Sequence, residues 1–399
     1  MSQGNPRSRH RIPPQEGARK TRIRNAAAIP PAAFAPGRRR ARALTPDKEF
    51  AIIEEKVKSV VSGPHATARE KNRILVTGGF GFLGSHVVER LVSDPGRHVH
   101  VVDDLSTSPL DHRRYLCEVG DPPNLTYSIC TVDSFCRSAE EQDFQEIYHL
   151  ASVVGPAGVL PHAGRIVQMV VNDTYRLIEL ALECQAKFLD VSTSEVYGGG
   201  QNGFCTEDYP KIVPAKTTVR LEYAVAKLAA ETAIVNTCAV SPLKACIVRP
   251  FNIAGPRQSG KGGFVLPRFI GQCLRDEPVT VFGCGQQVRA FTHVKDIADG
   301  LIRVMEQGES GEAYNLGNPE NRITILELAR RVIELTGSES EVVFVDPKTI
   351  YGPLFAEASD KYPGASRAMN DLGWQPRYDI NRIIMDAIDY CRSRNGWGR

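Results

Sequence analysis

The sequence predicts an α/β protein, a doubly wound parallel sheet carrying a smaller C-terminal lobe. Three observations predict it. Short apolar segments alternate with helix-period stretches from about residue 71 to 250. The first apolar segment runs into a glycine-rich turn. After Pro250 the rhythm breaks into short elements and glycine turns, closed by two helical stretches.

Taken in order, Ile74-Leu75-Val76 reads as a short buried strand, residues 85–91 as a helix, and residues 98–102 as a second strand. Further apolar runs at 146–151, 188–192 and 245–248 are separated by helical stretches at 165–184 and 218–238. The closing helices fall at 323–335 and 380–392. We therefore divide the chain into a basic extension over 1–70, a dinucleotide-binding domain over 71–250 with a return segment at about 291–318, and a mainly substrate-binding lobe over 251–399. In such folds ligands bind at the carboxyl edge of the sheet, where Gly78, Thr193 and Asn252 should emerge.

Charge is unevenly spread. The net charge is +3, yet residues 1–44 hold eleven Lys or Arg and a single acid, Glu16; the remainder has 38 basic and 45 acidic residues. A nucleic-acid protein would keep its basic residues on the folded domain, so nucleic acid is not an expected partner. The Arg-, Pro- and Ala-rich start is expected to be disordered, with a short helix possible at 47–61. An organelle-targeting peptide fits its Arg content, but prolines interrupt any helix. No apolar run approaches the roughly 20 residues of a membrane span. Ten cysteines without a CxxC pair read as reduced thiols of a cytoplasmic protein, and no metal site is expected; Cys117, Cys130, Cys184 and Cys246 lie in or beside apolar stretches.

The glycine turn is Thr77-Gly78-Gly79-Phe80-Gly81-Phe82-Leu83-Gly84, with glycines at 78, 81 and 84. Gly78 permits a tight turn, Gly81 close approach of a pyrophosphate, and Gly84 close packing of helix on strand. The following helix N-terminus, Phe82 and Leu83 included, presents unpaired N–H groups to the phosphates. Asp103, 19 residues past Gly84 and followed by Asp104, ends the next strand. A carboxylate there accepts ribose hydroxyls and repels a 2′-phosphate, so NAD is favoured over NADP.

Two further segments carry chemistry: Ser192-Thr193-Ser194-Glu195-Val196-Tyr197-Gly198 and Tyr223-Ala224-Val225-Ala226-Lys227. Tyr223 and Lys227, four apart, share one helix face. For a phenol of ordinary pKa about 10 to act as a base near neutrality it must fall by roughly 3 units, or about 4 kcal/mol. Lys227 and the positive nicotinamide ring are the sources of that shift. Thr193 can hold the same substrate hydroxyl in line.

With these motifs in place, the chain from about residue 71 onward resembles the extended short-chain dehydrogenases/reductases, in the NAD-dependent nucleotide-sugar epimerase/dehydratase group. Matching segments include Ile147-Tyr148-His149-Leu150-Ala151-Ser152, Arg249-Pro250-Phe251-Asn252, Gln287-Val288-Arg289-Ala290-Phe291 and Leu372-Gly373-Trp374-Gln375-Pro376. The resemblance implies a Rossmann domain in which Leu150 and Ala151 meet the cofactor through backbone, with His149 structural. It further implies that Tyr223 takes the proton of the sugar 4-hydroxyl as C4 is oxidised, and that Asn252 and Arg289 hold the substrate diphosphate. An arginine that the resemblance leads one to expect before the final helix is absent around Lys361-Tyr362-Pro363-Gly364, and Lys361 is expected to take its diphosphate contact. The helices at 165–184 and 218–238 match the elements that pair into a homodimer.

Thr193-Ser194-Glu195 is similar to the UDP-glucuronate decarboxylases and also to GDP-mannose 4,6-dehydratases, the latter usually NADP-dependent, which Asp103 disfavours. The dTDP-glucose dehydratases carry Asp-Glu where this chain has Ser194-Glu195. Glu195, an acid that simple 4-epimerases of the family usually lack, is expected to act as a base near C5 or to position a water. The implied function is modification of a nucleotide sugar, a UDP-sugar first, through a transient 4-keto intermediate in a decarboxylase-like or dehydratase-like manner. A 4-epimerase is the rival reading, and a catalytically inactive NAD-binding sensor or scaffold is the rival from another class.

Overall fold

The computed structural model describes residues 72–393, save 108–114, 117, 119, 139–142, 199–203 and 359. The expectations for the basic extension, for a helix at 47–61 and for Cys117 lie outside the described residues.

Seven parallel strands form the central sheet. They are β1 (Arg73–Thr77), β2 (His98–Asp103), β3 (Leu125–Ile129), β4 (Glu146–His149), β5 (Lys187–Val191), β6 (Lys244–Pro250) and β7 (Ala313–Leu316). Their order is β7-β6-β5-β4-β1-β2-β3, so the chain reverses direction between β1 and β4 and opens a crevice at the carboxyl edge there. Every pairing within the sheet is parallel.

Alternation along each strand explains the layers. Ile74 and Val76 of β1, Tyr148 of β4, Leu189 of β5 and Val248 of β6 point into one core, which holds Val87, Val88 and Leu91 of α1 (Phe82–Val92). That core also takes Ile297, Leu301 and Val304 of α6 (Val294–Gln307) and the buried Trp374. Leu75, Ile147, Phe188 and Ile247 point the other way. They meet α2 (Val132–Cys136), α3 (Ile166–Cys184) and α4 (Val219–Val240) through Phe135, Leu177, Ala181 and Ile234. Both faces are thus covered, which is why these strands read as continuous apolar runs.

A third core lies in the lobe. Leu266, Phe269 and Ile270 of α5 (Val265–Cys273), Leu328 and Val332 of α7 (Ile325–Thr336), and Ile384 and Ile388 of α8 (Ile380–Ser393) close around Val279 and Val281. Residues 291–318 return through α6 to place β7 at the sheet edge. No described helix is long and apolar enough to cross a membrane, and no described cysteine is in a disulfide.

One buried ion pair ties this frame together. Arg249 on β6 grips Glu231 on α4 with Nε–Oε1 at 2.9 Å and Nη2–Oε2 at 2.7 Å, and Ser192 after β5 donates its hydroxyl to the same carboxylate. Nη1 of Arg249 also donates to the Tyr197 hydroxyl at 3.0 Å, which donates to Asn315 Oδ1 on β7 at 2.8 Å. Removing one partner of a buried pair leaves an uncompensated charge. Arg249→Met should therefore lower the unfolding free energy by about 3–5 kcal/mol, read as a reduced urea midpoint with unchanged slope.

Candidate active site

The glycine turn joins β1 to α1. Gly78 has φ +71°, and a Cβ there would sit 2.7 Å from the Ala151 backbone nitrogen; a Cβ on Gly84 would sit 2.0 Å from the Gly78 carbonyl oxygen. Only glycine fits either place. The α1 N-terminus follows Gly81 without a side-chain cap, so its first N–H groups point into the crevice with the helix dipole behind them. Asp103 ends β2 beside this turn, accepting from Phe80 N at 3.0 Å and Leu105 N at 2.8 Å. A carboxylate has about four lone-pair sites and so can accept from several donors at once.

These features fit a dinucleotide. Phe80 itself is buried against Tyr115 and Tyr127, so only its backbone can face a cofactor. The Leu150 and Ala151 amides reach Thr77, through its carbonyl at 3.1 Å and its hydroxyl at 3.4 Å. Asp104 is exposed and turns onto Ser106.

Thr193 begins a single 3-10 turn, Ser194–Tyr197, and its hydroxyl accepts from the Glu195 amide at 3.2 Å. Helix α4 brings the buried Tyr223 up to it, beside the Thr193 and Ser152 hydroxyls. Burial raises the Tyr223 pKa, as do the charges of Glu195 and Asp190, and those two hydroxyls oppose the rise. One turn on, Lys227 donates to the Val191 carbonyl at 2.8 Å. Ser194 is buried behind them.

Glu195 departs from expectation. Arg220 clasps it with Nε–Oε2 at 2.7 Å and Nη2–Oε1 at 2.8 Å, and Lys361 Nζ binds Oε1. Burial alone would raise its pKa, but these two cations hold it far below the usual carboxylate range. A general base needs a pKa near the working pH, so this pairing fits an anchor for cations better than the expected base near C5, and it leaves the expectation of a positioned water as it stood. Lys361 is correspondingly committed to Glu195, not presented singly to a diphosphate. Burial pushes its pKa down to about 8, with Glu195 opposing and Arg220 and Arg289 assisting.

Arg289 donates to Glu357 at 3.0 Å and to the Ala358 carbonyl at 2.7 Å, with Asp360 at 3.6 Å. Asn252, at φ +33°, donates to the Ala290 carbonyl at 3.3 Å. The tertiary structure thus sets Arg220 and Lys361 on one glutamate, while Arg289 is held by Glu357 and the Ala358 carbonyl. Arg220 was missed from sequence. Its signal was available, because three residues before Tyr223 it lies on the same helix face. Among the described residues no cluster of His, Cys, Asp and Glu could hold a metal ion.

Residues 74–317 match the model of the NAD dependent epimerase/dehydratase family. The chain belongs to that family. A UDP-N-acetyl-alpha-D-glucosaminuronate decarboxylase of Bacillus cytotoxicus is 31% identical over 323 residues, spanning 81% of this chain and 98% of the relative. UDP-glucuronic acid decarboxylase 4 of Arabidopsis thaliana is 35% identical over 332 residues, spanning 83% and 71%. Among solved structures, the UDP-glucuronic acid 4-epimerase of Bacillus cereus in complex with UDP-glucuronic acid and NAD superposes with a TM-score of 0.69. It is 25% identical and covers 80% of this chain and 99% of that one. The expected family, the enzyme class and NAD as cofactor all hold.

The glycine geometry makes a direct prediction. Gly84→Ala should purify without bound nucleotide, judged by absorbance released on denaturation, while the circular dichroism of the fold persists.

Proposed function

We propose that this enzyme decarboxylates a UDP-linked hexuronate through a transient 4-keto sugar. The observation that carries the reading is the group of cations beside Thr193: Arg220 and Lys361 both bind Glu195, and Arg289 lies close enough to act on Lys361. A substrate bearing a carboxylate in addition to its diphosphate supplies acids that such cations can take in exchange for those of the protein. The decarboxylase relatives support the same class.

Bound NAD supplies a reversible store for the hydride of the sugar's C4. Tyr223 takes the proton of the 4-hydroxyl, with Thr193 fixing that oxygen. The ketone at C4 makes the substrate a β-keto acid. The C5–C6 bond then breaks, its electron pair passes into the C4 carbonyl, and carbon dioxide leaves. Lys361, whose pKa near 8 keeps it largely protonated at neutrality, is the proton donor to C5 in this reading. Tyr223 would finally give its proton back to the 4-oxygen as the stored hydride returned to C4, so no net oxidation would remain.

Incubating purified holoenzyme with UDP-glucuronate should yield a product lighter by carbon dioxide in mass spectrometry, without accumulation of NADH. Tyr223→Phe should lower the rate by about 10²–10⁴-fold. Unchanged mass with inverted C4 would identify a 4-epimerase, the activity of the structural neighbour, and overturn decarboxylation.

The reading includes a second copy of the chain. Helices α3 and α4 pack together and leave Val167, Met169, Tyr175 and Val235 exposed, an apolar surface fit for a two-fold helical interface. Light scattering should give a dimer, and Tyr175→Glu combined with Val235→Glu should give a monomer.

A further inference from the structure

A second charged group lies beneath the Tyr223–Lys227 pair. Asp190, on β5, is 0% exposed, and neither of its carboxylate oxygens has a hydrogen-bond partner. Its Oδ1 lies 3.7 Å from Lys227 Nζ and 3.9 Å from His149 Nε2. A bare buried carboxylate is costly unless a cation compensates it: burial raises the Asp190 pKa and the charge of Lys227 opposes the rise, so the identity of that cation decides what the group does.

His149 on β4, the strand neighbour of Asp190, does not supply it. Its Nδ1 is bonded to the Thr77 hydroxyl at 2.8 Å, and burial, then the charge of Lys227, holds its pKa well below the ordinary value, leaving a neutral ring. Arg249 on β6 is taken by Glu231, which lies one turn beyond Lys227 on α4. Asp173 on α3 also feels Lys227, but it is an acid, pushed by burial up to about 6. Lys227 is left as the counter-ion, and it is fixed by the Val191 carbonyl, one residue from Asp190.

That pairing changes what the lysine can do. An isolated ammonium next to a phenol favours the phenolate; an ammonium whose charge is largely cancelled favours it much less. We propose that Asp190 is a positioning residue for Lys227, holding its ammonium and cancelling its field, so that Tyr223 gives up its proton only when the positively charged nicotinamide ring lies beside it. The device confines phenolate formation to the enzyme form that is ready to oxidise the sugar. It rests on the reading of Tyr223 as the proton acceptor.

The test uses holoenzyme loaded with either NAD⁺ or NADH. Tyrosinate ultraviolet absorbance is followed against pH, with Tyr223→Phe as the blank. In the wild type, tyrosinate should form in the NAD⁺ form at a pH at least about one unit lower than in the NADH form. Asp190→Asn should shift both titrations down by about one unit and give the NADH form tyrosinate near neutrality. Asp190→Leu, which removes the same charge without leaving an amide, should do likewise. The acid limb of kcat/KM should move with them, and the shift should survive in an Asp173→Asn background. The alkaline limb, set by Lys361, should stay near pH 8.

A purely structural Asp190 would lower stability and leave both titrations where they were, overturning the proposal. Tyrosinate near neutrality in wild-type NADH enzyme would overturn it without any variant. Failure of the functional reading looks different: Tyr223→Phe would retain activity.

Discussion

The fork between Arg249 and Glu231 is the constraint on which the rest of the site depends. It joins β6 to α4 and, through Ser192, reaches the end of β5. Thr193 follows β5, Tyr223 and Lys227 ride on α4, and Asn252 follows β6. All therefore inherit their relative positions from one buried pair. Such a pair adds little net stability over a well-packed apolar equivalent, yet losing either half is costly. Its value here is geometric, because it sets the helix at one height against the strand ends. The extension from Arg249 to Tyr197 and Asn315 carries the same register to the edge strand β7.

Above that fork the site is organised by charge compensation. Glu195 is shared by Arg220 and Lys361, Arg289 faces Glu357 and Asp360, and Asp190 faces Lys227. Each cation near the crevice is thus held by an acid supplied from elsewhere in the chain. A long basic side chain loses much conformational entropy when ordered, and the paired acid supplies that order before substrate arrives. Preorganisation of this kind lets binding energy go to the reacting groups and away from arranging the protein.

The structure also explains where local reading of the chain stopped. Strand β3 was missed because its pattern is weak: Leu125 is buried while Thr126, Tyr127 and Ile129 are exposed, as befits an edge strand. The edge strand β7 was read only as part of a return segment, since its partner β6 lies more than sixty residues earlier. Glu195 reads from sequence as a base or a holder of water because a carboxylate two residues past Thr193 is one that simple 4-epimerases of the family usually lack. The groups that hold its proton away, Arg220 and Lys361, are 25 and 166 residues distant.

By itself the sequence determined what depends on local geometry. The glycines of the β1–α1 turn, the four-residue spacing of Tyr223 and Lys227, and the two-sided apolar strands specify backbone and periodicity, and each is legible within a short window. Tertiary structure alone decided which charges face one another. Asp190 looks like any polar residue in a strand until β4 and α4 close over it. Lys361 is a lone cation until the lobe sets it on Glu195. Ionisation depends on burial and on partners within a few ångströms, and the fold supplies both from residues the chain keeps far apart.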